Sequence, residues 1–157
     1  MRKTLKFLHT MGSIGYCGAL AGLLVLHTAL PDPSDLERFA TLRITMGRIA
    51  EWVLLPSIGL VTISGLLAMG ATTAYMNAGW VWAKLASGIL ILEGTLVYVQ
   101  APMERAARQA QAALAGEIPW AELNAPLGSE WGSFWVLMTV GVVNVALGVW
   151  RPRFERR

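Results

Sequence analysis

Read for its apolar and polar positions, the chain falls into four long apolar runs joined by shorter polar links. The first extends from Phe7 to about Leu30. The second, WVLLPSIGLVTISGLLAMGA, covers Trp52 to Ala71, and the third, WVWAKLASGILILEGTLVYVQ, covers Trp80 to Gln100. The fourth, FWVLMTVGVVNVALGVW, covers Phe134 to Trp150. Crossing about 30 Å of hydrocarbon takes roughly 20 helical residues, and each run comes close to or exceeds that length. Trp52, Trp80, Trp82, Trp131, Trp135 and Trp150 all stand at the ends of runs, where aromatic belts form at membrane surfaces. The pattern predicts an all-α, integral membrane four-helix bundle made as one domain over residues 1–157.

The links carry helix signals of their own. In PDPSDLERF, Ser34 is expected to cap a helix and Glu37, three residues on, to reach back to it as a capping box. The second helix is then expected to start near Asp35, well outside the hydrocarbon, and to run unbroken into it, kinked at Pro56, where a backbone hydrogen bond is lost. After the third run, APMERAARQAQAALAGEI predicts an amphipathic helical segment over about 103–115. It either extends the third helix past Pro102 or lies along the interface. The stretch PWAELNAPLGSEWGSF reads as a loop punctuated by Pro and Gly. The basic start and apolar centre of the first run resemble a signal peptide, but the run is longer than a signal core, so a retained helix is expected.

Composition agrees with this pattern and narrows the chemistry. Of the 157 residues, 55% are hydrophobic and 15% charged, against about 25% charged in soluble domains. The single cysteine, Cys17, excludes a disulfide framework and a cysteine zinc site. There is no phosphate-binding glycine loop before a lysine and no nucleophile elbow. The net charge of +3 does not point to nucleic acid, because the basic residues gather at the two termini beside apolar runs. Four crossings put both termini and the link TTAYMN on one side, with Arg2, Lys3, Lys6, Arg151, Arg153, Arg156 and Arg157. On the other side, arginines such as Arg38, Arg43 and Arg48 are offset by most of the acids. This bias favours cytoplasmic termini in a bacterial-type inner membrane.

Ionisable groups inside a span are costly, so each is a functional hypothesis: here His9, His27, Lys84 and Glu93, with Arg48 and Glu51 at the mouth of the second run and Asn144 as a milder case. His9 and His27 are the only histidines. Eighteen residues make five turns, so both lie on one face but about 27 Å apart, too far to share an ion or a haem. They belong to two polar layers, and each also reads as an interface cap. In the terminal layer, a count of depth brings His9, Lys84 and Met69 to one level. Imidazole and thioether can both serve as axial haem ligands. Lys84 suits a carboxylate, or it snorkels to headgroups. The opposite layer is expected to collect His27, also a candidate to bind a cofactor, with Gln100 and the i, i+3 pair Arg48 and Glu51. Glu93, near mid-membrane and without a basic partner, is expected to be protonated by desolvation, either relaying protons or bonding a neighbouring helix. Gly12, Gly15, Ala19 and Gly22, with a GxxxG at Gly18 and Gly22, give a smooth face that suits close helix approach or a flat tetrapyrrole. Tyr16 falls on the histidine stripe and is a candidate to hydrogen-bond a ligand there.

The openings LKFLHTMGSIGYCGAL and GWVWAKLASGILIL, with the closing LGVWRPRF, resemble the HemJ-type protoporphyrinogen oxidases and a related group of small integral membrane proteins. The likeness spans all four helices and rests on His9, Trp80 to Lys84 and Pro152. It implies a haem b protein in which His9 ligates the metal and Lys84 is functional. The third run and its sequel, LEGTLVYVQAPMER, hold no histidine, so two histidines of one chain cannot hold the haem. His9 must then act with Met69, with another non-histidine ligand, or with a second His9 across a dimer. The expected function is electron transfer, or oxidation of a porphyrin-like or quinone-like substrate, with Lys84 and Glu93 as the catalytic candidates. The alternative is an accessory or scaffold subunit, as a homo-oligomer or in a larger membrane complex. An ion or proton carrier built on Glu93 ranks third, since broken helices and repeated halves are missing.

Overall fold

A backbone in lipid has to satisfy its own hydrogen bonds, and the chain does so with helices. The computed structural model describes residues 2–32, 34–72, 78–119, 123 and 128–150. Helix α1 spans Arg2–Thr28, α2 Leu36–Ile49, α3 Leu55–Gly70, α4 Gly79–Thr95, α5 Ala101–Leu114 and α6 Gly128–Trp150. Single π-helical turns, Ala50–Leu54 and Leu96–Gln100, join α2 to α3 and α4 to α5. The result is four continuous rods, each long and apolar enough to cross a membrane: Lys3–Thr28, Leu36–Gly70, Gly79–Leu114 and Glu130–Trp150. Two of them, at 35 and 36 residues, are longer than the apolar runs suggest. The segment over 103–115 is therefore the end of the third rod and not a separate interfacial helix. The last rod begins at Gly128, inside a stretch whose sequence reads as loop. Most of the link TTAYMN, the loop positions Trp120 to Glu122, and Pro152 with the C-terminal arginines lie outside the described residues.

Both π turns have one cause. Pro56 and Pro102 have no N–H, and each ring would strike the carbonyl four residues earlier in a regular helix. Just ahead of each proline the ladder widens by one residue: Leu55 N–H donates to Ala50 O, and Ala101 N–H donates to Leu96 O. The helix passes its proline this way, and the deviation sits one turn earlier than Pro56 itself. The start of α2 corrects a second expectation. Its cap is Asp35, whose side chain accepts from Arg38 N–H at 3.4 Å, and not Ser34. With Asp35 as cap, Glu37 falls one position too early to close a capping box. Ser34 N–H instead donates to Asp32 at 2.8 Å, which helps hold that carboxyl below the usual aspartate range. At its far end α5 closes with Gly116 at φ 75°. Glu117 N–H returns to Ala112 O and Gly116 N–H to Ala113 O, the Schellman arrangement that favours glycine.

In the bundle, α1 lies most closely along α3, α4 pairs with α6, and α1 also meets α6. Beyond the bundle, α2 lies against α5 as an antiparallel pair. There Phe39, Ala40, Ala110, Ala113 and Leu123 form a small core of their own. Both close approaches are made by glycine. A Cβ at Gly47 would lie 2.5 Å from the Ala107 Cβ. A Cβ at Gly12 would lie 2.9 Å from Val61 Cγ2 and 3.0 Å from the Ser57 carbonyl and the Val61 nitrogen, and one at Gly15 would strike the Ser57 hydroxyl. The small-residue face of α1 is thus used for helix packing at Gly12, Gly15 and the buried Ala19. The GxxxG pair is not part of it: a Cβ at Gly18 or Gly22 would meet nothing within 4 Å.

Gly12→Ala should therefore lower stability by about 1–3 kcal/mol through overpacking. Gly18→Ala, made into open space, should be neutral or slightly stabilising, within about 1 kcal/mol. Unfolding midpoints of the detergent-solubilised variants measure the contrast.

Candidate functional site

Histidine 9 faces inward, onto α3. Its Nδ1 lies 3.0 Å from the Val61 carbonyl oxygen and 3.3 Å from the Ser64 hydroxyl. A carbonyl only accepts, so Nδ1 carries the proton in this bond, and in the neutral ring Nε2 holds the lone pair. The Val61 carbonyl is reachable because the residue one turn later is Gly65. A Cβ there would stand 3.3 Å from His9 Cε1 and 3.4 Å from Nδ1, within the reach of the ring itself. This fixes the tautomer and the tilt of the imidazole. It is also the arrangement in which a metal-bound histidine has its second nitrogen oriented by a backbone carbonyl.

Lys84 is also half-buried and turned inward, into the contact between α4 and α6. Its Nζ lies only 2.7 Å from where a Gly148 Cβ would be, so the absence of a side chain at 148 makes room for the amine. Asn144, one turn away on α6, donates to Ser87 Oγ at 2.7 Å and to the Lys84 carbonyl at 3.2 Å. The ammonium is within electrostatic range of the His9 imidazole. Met69 is buried but stands four residues beyond Gly65, about 6 Å further along α3. Among the described residues no cluster of three or more His, Cys, Asp or Glu side chains could hold a metal ion. The described residues fit one axial imidazole, that of His9.

Tyr16 lies in the core, its hydroxyl 2.9 Å from the Thr95 hydroxyl, so it ties α1 to α4. Glu93 is exposed on the outer face of α4. Its neighbour Gly94 abuts Leu137 on α6. That puts the carboxyl about 9 Å inside the level of Trp131 and about 20 Å inside that of Trp150, off-centre in the span.

The second polar layer has different members from those expected. Arg48 and Glu51 are exposed and make no ion pair with each other among the described residues. The buried cation is Arg43, 4% exposed, whose Nη1 donates to Glu130 Oε2 at 2.9 Å and whose guanidinium lies 5.6 Å from the Phe39 ring centre. His27 joins the pair. Its Nδ1 is 3.6 Å from the same carboxylate oxygen, too long for a hydrogen bond, and its ring stacks on Trp131 and meets Phe134 edge-on. Three helices, α1, α2 and α6, are clasped here. One signal in the sequence points to Arg43: it continues the inward stripe Phe39, Met46, Ala50 and Leu54 at steps of three and four. Glu130 has no comparable signal.

In comparison with protein-family models, with curated proteins and with solved structures, nothing matches this chain.

Removing one partner of the clasp strands the other. Glu130→Ala should cost about 3 kcal/mol by leaving the Arg43 charge buried and unpaired, while the double variant Arg43→Met/Glu130→Leu should recover most of that loss. A double-mutant cycle on unfolding midpoints reads the coupling directly.

Proposed function

We propose that the chain is an integral membrane haem b protein that serves a redox reaction, with His9 as its axial ligand. One observation supports the reading above the others: Nδ1 of His9 is committed to the Val61 carbonyl at 3.0 Å, which orients the ring and reserves Nε2 for a metal. When bound, haem supplies one-electron redox chemistry whose potential is set by axial ligation and the surrounding dielectric. The chain's own residues do the rest. Gly65 leaves room for the ring, Ser64 and Val61 hold its tautomer, and Lys84 supplies a cation on the adjoining helix pair, suited to a propionate or to a carboxylate on a porphyrin-like substrate. Lipid-exposed helices give a porphyrin-like or quinone-like molecule a route from the bilayer. The concentration of Arg and Lys at both ends of the chain supports cytoplasmic termini in an inner membrane.

A second reading, a non-catalytic subunit of a membrane assembly, is favoured by one feature, the exposed Glu93 on the outer face of α4.

The two readings part on a spectrum. Protein expressed with ample haem supply and purified in detergent should show a Soret band, and His9→Ala should lower bound haem by roughly tenfold or more, while His27→Ala should leave it in place. A wild-type protein with no Soret absorbance rejects the haem reading. So does a His9→Ala variant that keeps its band.

A further inference from the structure

Where the second and third rods leave the hydrocarbon, their walls enclose a groove of about 240 Å³. Its floor is the close contact of Gly47 on α2 with Ala107 on α5. One wall carries Arg48, Glu51 and Trp52, three and four residues apart and so on one helix face. The other carries Glu104 and Arg108, which pair with each other. Arg48 and Glu51 are not matched in this way: both are exposed, and neither makes an ion pair among the described residues. The groove thus offers one open cation and one open anion, with no net charge. Its depth is equally defined. Trp52, 72% exposed, opens the apolar part of its rod, and Arg48 stands four residues, about 6 Å, beyond it. Each polar layer of a bilayer is about 5–8 Å deep, so the groove spans one headgroup layer, with an indole at the hydrocarbon edge.

We propose that this groove binds the headgroup of a zwitterionic phospholipid with a primary amine, its phosphate on Arg48 and its ammonium on Glu51. The first acyl carbons then lie against Trp52. A guanidinium presents a planar fork of N–H donors that suits phosphate oxygens. A carboxylate accepts from the three N–H groups of a primary ammonium. Charge complementarity selects this headgroup over others. An anionic one satisfies Arg48 but leaves Glu51 facing more negative charge. A choline headgroup has no N–H to give Glu51. The level of the groove selects a lipid over a water-soluble molecule, since it opens into the layer that headgroups already fill. Both walls are fixed by the contact at Gly47, so the site is formed before the lipid arrives. This inference does not depend on His9 or on haem.

Native mass spectrometry of the detergent-solubilised protein, with single lipids added at matched concentration, reads the affinities. Phosphatidylethanolamine should bind about tenfold more tightly than phosphatidylglycerol or phosphatidylcholine, the difference of one charge-assisted hydrogen bond. Arg48→Gln should weaken phosphatidylethanolamine binding about tenfold. Glu51→Gln should reverse the order, because an unopposed arginine favours phosphatidylglycerol. Arg38→Gln, on an exposed arginine of α2 outside the groove, should change neither. Soluble phosphoethanolamine, which lacks the acyl chains, should bind at least about tenfold more weakly than the lipid. A wild-type protein that prefers phosphatidylglycerol, or treats the three lipids alike, overturns the proposal. So does an Arg48→Gln or Glu51→Gln protein that binds like the wild type, or an Arg38→Gln protein that loses as much as Arg48→Gln. Equal affinity for phosphoethanolamine assigns the groove to a soluble ligand and overturns it as well.

Discussion

The close approach of α1 to α3 governs the terminal half of the molecule. Lipid tails are as apolar as the side chains they touch, so no hydrophobic force drives these helices together; van der Waals contact and hydrogen bonds do. Gly12 and Gly15 let the α1 backbone come within contact of Ser57 and Val61. Only at that separation does the next inward side chain, His9, reach a carbonyl of the neighbouring helix. The bond uses the second lone pair of a carbonyl already engaged in its own helix, and the absence of a side chain at Gly65 leaves that lone pair open. Packing and chemistry are thus the same contact, and widening it by one methyl group alters both.

The two prolines shape the other half. Each is two residues beyond a π turn, and those turns, Ala50–Leu54 and Leu96–Gln100, touch one another. Had either proline ended its helix, freed backbone groups would have needed new partners where the chain leaves the lipid. Absorbing the proline into a wider turn keeps both rods continuous. The α2 and α5 ends then pair with each other, with Gly47 seated against Ala107. The Arg43 to Glu130 bond lies at this junction and draws the start of α6 onto it.

The sequence carries the four crossings in plain view, because apolar run length and tryptophan placement are one-dimensional signals. The inward orientation of Lys84 is foreshadowed by its depth, and that of His9 by its stripe. Other features depend on which helix lies beside which. Glu130 becomes a partner of Arg43 only when α6 is set against α2, 87 residues away in sequence. The carbonyl that His9 meets depends on where α1 and α3 register, and that register is set by Gly12 and Gly15 against Ser57 and Val61. The cap of α2 falls one residue from its expected place because Asp32 and Asp35 compete with Ser34 for the same few backbone donors.

The lengths of the second and third rods have a consequence for the shape the protein presents to its surroundings. At 35 and 36 residues each extends about 53 Å, against roughly 30 Å of hydrocarbon. Some 20 Å of paired helix therefore stands clear of the bilayer on one side. A water-borne macromolecule arriving from that compartment meets a rigid two-stranded post.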